Sequence, residues 1–568
     1  MAGQLTPRDI RQALVALDQA DPRHEIEVPM RDGRMLAADL YLPFPDPGRP
    51  VPAVVFGTPY DKRGVGAVAE GRFYQARDYA YISYDTRGRG KSEGEWRAHV
   101  NDGRDGHDVV EWVAAQPWCS GRVGTTGLSY GGWNQWATAR EQPPHLVCMA
   151  SFAAAGRWME EIPYTFGVFQ LYFAYWVYGT RRRIQNSRSA LDWEALLMQL
   201  PVAEMMDSLG AAPGTWPDMR DHDTLDAFWQ GLRLDDDYAK LELPCLHVAG
   251  WHDREDLLGA FHHYESMMAK SPRAKDQWLI VGPWPHVGTR YPQANYGGVA
   301  YGAHAALNMD QLQLRFFDHW LKGADSGWAS EPRVQLFETG TNRWQAPAAW
   351  SQEVKRTPMY LRFEGGATTL QSEPPGETDA PRSYRYDPND PVRVPGGLSY
   401  EEFYEPALDE SYLADRADVI CYASPPLEAP LVVSGWPRLE LFAASDCEDT
   451  DWHVKLEDQG PDGKLMRVAA GCLRAVCRES LSNHIPLVPG EVTRFEVELN
   501  PVRHVFLPGH RLVLVVTSSD FPWFARNCNR VGRAVDQRDP LIATNSVYHG
   551  PGHASCLWLP VLAAPGGE

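Results

Sequence analysis

A glycine-rich turn carries the clearest chemical signal in the sequence. The segment "GLSYGG", Gly127 to Gly132, follows the strand-like run "RVGTT" and precedes the helix-like run "WNQWATAR". Its glycines permit the tight strand-to-helix turn of a Gly-x-Ser-x-Gly motif, which lifts the Ser129 hydroxyl clear of the sheet. The turn also directs the next backbone N–H groups toward an oxygen that becomes negative in acyl transfer. The motif therefore predicts that Ser129 is a nucleophile.

A serine nucleophile needs a histidine base and an acid that orients the base, and in this sheet architecture the chain order is serine, acid, histidine. Asp253 lies just past the strand-like run "CLHVAG", and His286 lies just past the run "QWLIVG". Both therefore fall at the carboxyl ends of predicted strands, where a doubly wound sheet places its ligands. The sequence predicts Asp253 as the acid and His286 as the base.

Neighbouring histidines and other motifs offer weaker chemistry. His252 adjoins the predicted acid, and His262 and His263 fall inside a predicted helix, so His286 is the preferred base. The segment "DTRGRGKSEG" resembles a phosphate-binding loop, but Asp85 occupies the position where that loop requires its first glycine. No set of His, Asp and Glu residues has convincing metal-ligand spacing. We expect no metal and no other cofactor.

The elements that must position these residues form several predicted units. In residues 1–150 and again in 241–344, short β-rich runs alternate with helix-like stretches, which predicts an α/β fold with a parallel sheet flanked by helices. Residues 151–240 are rich in aromatic residues and Met and read as a helical cap. From 345 to 568, Pro and Gly become frequent and strand-like runs alternate with turns, which is typical of a β-sandwich or jelly roll.

Composition excludes several classes of partner. The formal net charge of −20 argues against a nucleic-acid or anionic-membrane partner, because a phosphate-binding surface needs clustered Lys and Arg. Nine cysteines without a Cys-x-x-Cys pair predict neither a disulfide framework nor a zinc ribbon. The N-terminus lacks the continuous apolar core of a secretory signal, so we expect a cytoplasmic protein. The aromatic run from Phe166 to Gly179 is shorter than the roughly 20 residues of a membrane span and predicts a buried helix or a pocket wall.

Several ordered motifs resemble a family of serine hydrolases that includes cocaine esterase, the X-Pro dipeptidyl-peptidases and the α-amino acid ester hydrolases. They are "VPMRDGRMLAADLYLP", "TPYDKR", "YDTRGRGKSEG", "GLSYGG", "GWHD", "GPWPH", "YDPNDPVRVPGG" and "PGHRLVLVVTSSDFPWFARN". The resemblance covers nearly the whole chain. It implies an α/β-hydrolase core with a helical cap, a C-terminal jelly roll and a triad of Ser129, Asp253 and His286. It also implies an oxyanion hole made by the Tyr60 hydroxyl and the backbone N–H of Tyr130.

A cluster of acids extends the resemblance to one branch of the family. The α-amino acid ester hydrolases follow their triad aspartate with a Glu-Asp pair that helps to bind the substrate's α-ammonium, and "DREDLLGA" resembles that segment. The resemblance assigns this role to Glu255 and Asp256. A third family carboxylate comes from the start of the cap, where Glu160 and Glu161 are both candidates. The alternative is that Glu255 and Asp256 occupy the first turn of a helix and interact with its dipole.

The leading interpretation is a hydrolase that acts on esters or amides of amino acids through an acyl-enzyme, with acyl transfer to an amine left open. The alternatives are a carboxylesterase for neutral acyl groups, an X-Pro dipeptidyl-peptidase and a non-enzymatic protein that binds ligands through its jelly roll. The intact set of Ser129, Asp253, His286 and Tyr60 argues against a dead enzyme. We expect a small-molecule ester, an amide or a short peptide as the substrate. Whether the chain forms a homo-oligomer stays open.

Overall fold

The computed structural model describes residues 23–185, 191–350, 354–377, 380–395 and 408–562. The N-terminal stretch on which the cytoplasmic expectation rests lies outside these ranges. None of the helices in the described ranges is long and apolar enough to cross a membrane.

The first part of the chain alternates strands and helices. Its elements are β1 (His24–Pro29), β2 (Met35–Tyr41), β3 (Val51–Thr58), α1 (Val65–Gln75), β4 (Ala80–Asp85), α2 (Asp102–Ala114), β5 (Cys119–Leu128), α3 (Tyr130–Arg140) and β6 (Leu146–Phe152). Strand β4 is buried along its whole length. Burial on both faces is expected of a central strand in a sheet covered by helices on each side.

The next segment forms the cap. Its elements are β7 (Tyr164–Thr165), β8 (Val168–Phe169), α4 (Leu171–Gly179), α5 (Trp193–Leu197), α6 (Val202–Ser208), α7 (Trp216–Asp221) and α8 (Ala227–Leu232). Helix α4 has the sequence LYFAYWVYG, and all of its residues are buried. A helix that is hydrophobic all round must be buried, so the aromatic run forms an internal wall of the cap.

The chain then returns to the first sheet. The elements are β9 (Cys245–Gly250), α9 (Leu257–Lys270), β10 (Gln277–Gly282), β11 (Asn295–Tyr296), β12 (Val299–Ala300), α10 (Met309–Lys322), β13 (Val334–Glu338) and β14 (Arg343–Gln345). Local sequence sets the ends of α10. The Asn308 side chain accepts a hydrogen bond from the Gln311 N–H at the start, and Gly323 ends the helix with a φ of 66°.

These strands form one ten-stranded sheet in the order β1-β2-β4-β3-β5-β6-β9-β10-β13-β14. The neighbours from β4 to β13 pair in parallel, and antiparallel strands stand at both ends. The carboxyl ends of β5, β9 and β10 therefore meet at the same edge of the sheet. This edge is the place where an α/β sheet builds its sites.

The last part of the chain is β-rich and forms a second sheet system, a jelly-roll-like domain. Its strands are β15 (Val354–Glu364), β16 (Ala367–Gln371), β17 (Arg382–Tyr386), β18 (Ile420–Ala423), β19 (Leu431–Gly435), β20 (Arg438–Ser445), β21 (Asp451–Gln459), β22 (Leu465–Arg474), β23 (Thr493–Glu498), β24 (Val502–Phe506), β25 (Arg511–Thr517), β26 (Ala543–Val547) and β27 (Cys556–Leu562). Across all the described ranges, and not only in this domain, short 3-10 helices lie at Tyr238–Lys240, Ala274–Asp276, Val287–Thr289, Ala303–Ala305, Trp328–Ser330, Ser411–Asp415, Ala475–Cys477 and Ala534–Asp536. Inward-facing Leu and Val side chains fill the core of this domain.

The C-terminal domain packs against the cap. The Leu171 N–H at the start of α4 donates to the Trp523 carbonyl oxygen over 2.8 Å, and the Ala525 N–H donates to the Phe169 carbonyl oxygen over 2.8 Å. The loop after β9 is also attached, since Arg254 pairs with Asp520. The β-rich domain therefore supports both the cap and the loop that follows β9.

Candidate active site

Ser129 stands at the junction between β5 and α3, in a strained backbone conformation. Its φ is 62° and its ψ is −122°, a left-handed region that non-glycine residues rarely adopt. The flanking glycine is required by close packing. A Cβ at Gly127 would lie 2.4 Å from the Gly131 carbonyl oxygen. The sharp turn expected from the motif is thus present, and its geometry depends on glycine.

His286 and Asp253 meet at the carboxyl edge of the sheet. The His286 Nδ1 lies 3.1 Å from both carboxylate oxygens of Asp253, and both side chains are buried. The Asp253 Oδ1 also accepts the backbone N–H groups of Glu255 at 2.9 Å and of Asp256 at 3.2 Å. The acid is therefore fixed by its own loop, and the imidazole is aligned on it.

The competing histidines are occupied elsewhere. The His252 Nε2 lies 2.7 Å from the Tyr301 hydroxyl, and burial lowers the pKa of His252 to about 3. His263 contacts the Ala155 carbonyl oxygen through its Nε2 at 2.8 Å, and His262 pairs with an aspartate on the cap side. Of the histidines that the sequence offered as bases, the structure places only His286 on Asp253.

Tyr60 follows β3 and reaches the same pocket. Its hydroxyl oxygen accepts a hydrogen bond from the Trp176 indole Nε1 over 3.1 Å and also bonds to Ser129. Burial raises the pKa of Tyr60 to about 12, and the bond from Trp176 opposes this rise. The phenol therefore keeps its proton across the physiological range and can donate it to an acceptor.

The side chain of Tyr130 forms hydrogen bonds with other residues. Its hydroxyl donates to the Asp102 carboxylate over 2.6 Å and accepts the His99 backbone N–H over 2.8 Å. The phenol of Tyr130 is thus committed to these two partners. The predicted role in the oxyanion hole therefore falls to the backbone N–H of Tyr130, the first peptide group after Ser129, and not to its side chain.

The acid pair lies in the loop that joins β9 to α9. Helix α9 begins at Leu257, and Asp256 is its N-cap residue without a side-chain capping bond, so both acids precede the first turn. Both are buried, and both line a pocket with Ser129 and Tyr60. Neither acid lies in the first helical turn itself, but Asp256, as the N-cap residue, still lies at the positive end of the helix dipole.

The charges in this pocket act strongly on each other. The Glu255 Oε2 lies 3.6 Å from the His286 Nε2, and the Asp256 Oδ2 lies 4.0 Å from the His286 Nδ1. Burial raises the pKa of Asp256 well above its ordinary range, and repulsion from Glu161, Asp253 and Glu255 adds to the rise, although His286 opposes it. Burial by itself would lower the pKa of His286, but Glu255, Asp253 and Asp256 outweigh it and raise that pKa well above its ordinary value.

The two acids at the start of the cap separate in space. Glu160 forms ion pairs with Arg157 at 2.5 Å and with Arg233 at 3.0 Å. Glu161 is buried, and its carboxylate accepts the N–H groups of Gly156 at 3.1 Å and of Gly259 at 2.5 Å. Burial raises the pKa of Glu161 to about 8, and these backbone bonds oppose the rise. Glu161 therefore joins the cap to α9 beside the acid pair, whereas Glu160 is neutralised by arginines.

The rest of the pocket wall combines the aromatic run that the sequence singled out with residues that it did not. The cap contributes aromatic side chains of α4, and α3 contributes Trp133, with His99 between them. The aromatic run around α4 predicted a pocket wall, but no sequence signal pointed to His99. A second pocket, also lined by Glu255, lies between the hydrolase core and the C-terminal domain. The described residues contain no group of three or more His, Cys, Asp or Glu that could hold a metal ion.

Comparison with known proteins identifies the family of the chain. Residues 32–288 match the family model described as X-Pro dipeptidyl-peptidase (S15 family), and residues 326–557 match that of the X-Pro dipeptidyl-peptidase C-terminal non-catalytic domain. Cocaine esterase from Rhodococcus sp. (strain MB1 Bresler) is 32% identical over 588 residues, which cover 94% of this chain and 98% of the esterase.

Two solved structures are similar along nearly the whole chain. An aminopeptidase from a marine sediment archaeon, Thaumarchaeota archaeon, superposes with a TM-score of 0.86 at 27% identity and covers 95% of this chain and 96% of its own. An α-amino acid ester hydrolase superposes with a TM-score of 0.85 at 27% identity with the same coverage. The cap, the sheet and the β-rich domain are therefore shared as one architecture.

Proposed function

Because the chain belongs to the S15 family of serine hydrolases that includes cocaine esterase, we propose that it cleaves esters or amides whose acyl group carries a free α-amino group. One observation carries the proposal. Glu255 and Asp256, two buried carboxylates, line the same pocket as Ser129. Buried charges of one sign repel each other, and a substrate ammonium between them relieves the repulsion.

In this proposal, Ser129, His286 and Asp253 form the catalytic triad. The Ser129 hydroxyl attacks the substrate carbonyl carbon while the His286 Nε2 takes the hydroxyl proton, and Asp253 holds the imidazole through Nδ1. The leaving alcohol or amine receives that proton, and an acyl-enzyme remains. Water then attacks the acyl-enzyme by the same route, which releases the acid and restores Ser129. The negative oxygen of each tetrahedral intermediate is bound by the Tyr60 hydroxyl and the Tyr130 N–H.

Glu255 and Asp256 also affect the pKa of His286, the proposed base. Burial by itself lowers the pKa of His286, but Glu255, Asp253 and Asp256 raise it above its ordinary value, so the imidazole releases its proton less readily and is a poorer acceptor for the Ser129 proton. A substrate ammonium placed between the two carboxylates offsets their charge. The pKa of His286 then falls, and its Nε2 loses its proton more readily and can accept the one from Ser129. The correct substrate thereby activates its own base, which would favour α-amino acyl groups beyond simple binding.

Two similar proteins of known structure have names that indicate the same type of substrate. The aminopeptidase and the α-amino acid ester hydrolase each act on substrates defined by an amino group, and each shares 27% of its aligned residues with this chain. The X-Pro dipeptidyl-peptidase description of the family model favours a second candidate, release of X-Pro dipeptides. A dipeptidyl acyl group also carries a free ammonium, but it places that group one residue further from Ser129.

The decisive experiment is a matched substrate panel. We expect a higher kcat/KM for phenylglycine methyl ester than for phenylacetic acid methyl ester, which lacks only the amino group. The double variant Glu255→Gln, Asp256→Asn keeps the size of both side chains and removes their charge, so it should reduce this preference more than tenfold. Glu160→Gln, an acid paired with arginines outside the pocket, serves as the control.

The panel also separates the alternatives. Equal losses on both esters in the double variant would favour a carboxylesterase for neutral acyl groups. Faster turnover of Ala-Pro p-nitroanilide than of alanine p-nitroanilide would favour the dipeptidyl-peptidase. Hydroxylamine added to the reaction measures acyl transfer to an amine. The cytoplasmic location remains a prediction from the sequence.

A further inference from the structure

One residue of the cap contacts both residues that are expected to bind the oxyanion. The Trp176 indole Nε1 donates to the Tyr60 hydroxyl over 3.1 Å. The same indole stacks on the Tyr130 ring, with centroids 6.2 Å apart and an angle of 18° between the ring planes. Trp176 lies on α4, whereas Tyr60 follows β3 and Tyr130 begins α3, so three separate segments meet at this side chain. Trp176 therefore joins the cap to both sides of the predicted oxyanion hole.

The hydrogen bond from Trp176 restricts the direction of the Tyr60 proton. An indole N–H donates and cannot accept, and a phenol hydroxyl carries one proton that rotates to suit its neighbours. The Tyr60 proton is therefore left for an acceptor other than Trp176, and Ser129 also bonds to this hydroxyl. Burial raises the pKa of Tyr60 to about 12, and the bond from Trp176 opposes the rise, which makes the phenol a stronger donor. A donor oriented in advance needs no rearrangement when the oxyanion forms.

A buried arginine holds the two hydrogen-bond partners together. The Arg89 Nε donates to the Pro59 carbonyl oxygen over 2.5 Å, and its Nη1 donates to the Thr180 carbonyl oxygen over 2.5 Å. Pro59 precedes Tyr60 in the chain. Thr180 is the C-cap residue of α4, and its N–H and its hydroxyl both donate to the Trp176 carbonyl oxygen. Arg89 therefore links the backbone next to Tyr60 with the helix that carries Trp176.

The cost of burying Arg89 is consistent with such a positional role. Only 1% of its surface is exposed, and burial lowers its pKa to about 10, so it stays charged at neutral pH. Its hydrogen bonds go to main-chain carbonyl oxygens, which include that of Arg182. A buried charge is expensive to desolvate, and its hydrogen bonds fix the geometry of the segments that they join. The segment "DTRGRGKSEG", which contains Arg89, thereby gains a role in the site.

We propose that Trp176 is a positioning residue for the oxyanion hole. Its N–H orients the Tyr60 hydroxyl, its ring supports Tyr130, and Arg89 keeps α4 in place. The proposal rests on the proposed function in one respect, which is that Tyr60 and Tyr130 bind the oxyanion. It goes further because it makes the cap a part of the machinery for the chemical step as well as of the pocket wall. Trp176 acts through Tyr60 and needs no contact with the substrate.

The test is a double-mutant cycle with the Tyr60 hydroxyl. Trp176→Phe keeps an aromatic ring on α4 and removes the N–H, and its effect is measured in wild type and in Tyr60→Phe. With phenylacetic acid methyl ester, Trp176→Phe should lower kcat about tenfold in wild type with little change in KM, the upper range for one neutral hydrogen bond. In Tyr60→Phe the same substitution should change kcat by less than about twofold, because the hydroxyl through which it acts is absent.

Trp158→Phe is the matched control for this cycle. Trp158 is a buried tryptophan of the neighbouring aromatic cluster, and its ring packs against Trp133 and Trp229. Its indole Nε1 has no hydrogen-bond partner among the described residues, so the substitution removes the same atoms without removing a bond to Tyr60. Its cost should be equal in wild type and in Tyr60→Phe. Equal costs for Trp176→Phe in the two backgrounds would indicate a purely structural role and overturn the proposal.

A second variant carries the test if Trp176→Phe does not fold. Arg89→Met leaves every aromatic ring intact and removes the bonds to Pro59 and Thr180. We expect Arg89→Met to lower kcat in wild type and to lower it less in Tyr60→Phe, because the loss acts through the position of the hydroxyl. Equal losses in both backgrounds would again contradict the proposal.

The proposal and the proposed function can fail separately. If Tyr60→Phe alone leaves kcat unchanged, Tyr60 does not bind the oxyanion, and the positioning role of Trp176 falls with that assignment. If Tyr60→Phe lowers kcat while Trp176→Phe costs the same in both backgrounds, the oxyanion assignment stands and only the role of Trp176 is overturned. The ester has no amino group, so neither result depends on the ammonium that we propose for Glu255 and Asp256.

Discussion

The charge of Glu255 should shift the pH dependence of catalysis, and Glu255→Gln tests this directly. The Glu255 Oε2 lies 3.6 Å from the His286 Nε2, the atom that we propose as the base. Two unit charges at that separation interact by about 4.6 kcal/mol at an effective dielectric constant of about 20. Since 1.36 kcal/mol corresponds to about one pKa unit, the loss of this charge should lower the pKa of His286 by about 3 units at most.

The direction of the shift follows from the role of the base. His286 must be neutral to accept the Ser129 proton, so activity appears as the pH rises through its pKa. Burial lowers that pKa, and the carboxylates of Glu255, Asp253 and Asp256 raise it above its ordinary value. Removing one carboxylate lowers the pKa, and the acidic limb of the kcat/KM profile should move to lower pH by about 1 to 3 units.

The assay uses phenylacetic acid methyl ester, because this substrate has no amine that titrates in the same range. Profiles of kcat/KM are measured from about pH 4 to pH 9 for wild type, Glu255→Gln and Glu160→Gln. The last variant changes the net charge of the chain equally but removes an acid paired with Arg157 and Arg233. An acidic limb that stays in place or moves to higher pH in Glu255→Gln would refute the reasoning.

Two further predictions concern the nucleophile and the oxyanion. Ser129→Ala should abolish turnover while the protein stays folded, and a fluorophosphonate probe should label wild type only; labelling of a folded Ser129→Ala protein would remove Ser129 as the nucleophile. Tyr60→Phe should lower the rate of acylation by about two to three orders of magnitude, the usual loss for one oxyanion donor, with little change in substrate binding. An unaltered single-turnover rate in Tyr60→Phe would mean that other groups bind the oxyanion.

Local features could be predicted from the sequence because they depend on neighbours along the chain. The strand, the glycines and the helix around Ser129 are contiguous, and the alternation of strands and helices on either side of the cap indicated the α/β sheet that the structure contains. The aromatic run of α4 indicated burial through its composition alone. Ser129, Asp253 and His286 each follow a strand-like run in the sequence. Because parallel strands align their carboxyl ends, the sequence predicted that all three residues lie at one edge of the sheet.

Other features depended on contacts between distant parts of the chain. The sequence offered Glu160 and Glu161 as equal candidates, and their separation required Arg233 on one side and Gly259 of α9 on the other. The attachment of the loop after β9 to the C-terminal domain joins residues 266 positions apart.

His99 is the clearest example of a feature that the sequence could not predict. The sequence could not predict that its ring nitrogens lack hydrogen-bond partners among the described residues, because this depends on the position of every neighbour in space. The sequence by itself determined the elements, their order and the types of reactive group. Tertiary structure decided the charge environment of each group and which buried polar atoms of the described residues lack a hydrogen-bond partner, since burial and electrostatic interaction depend on distance in space.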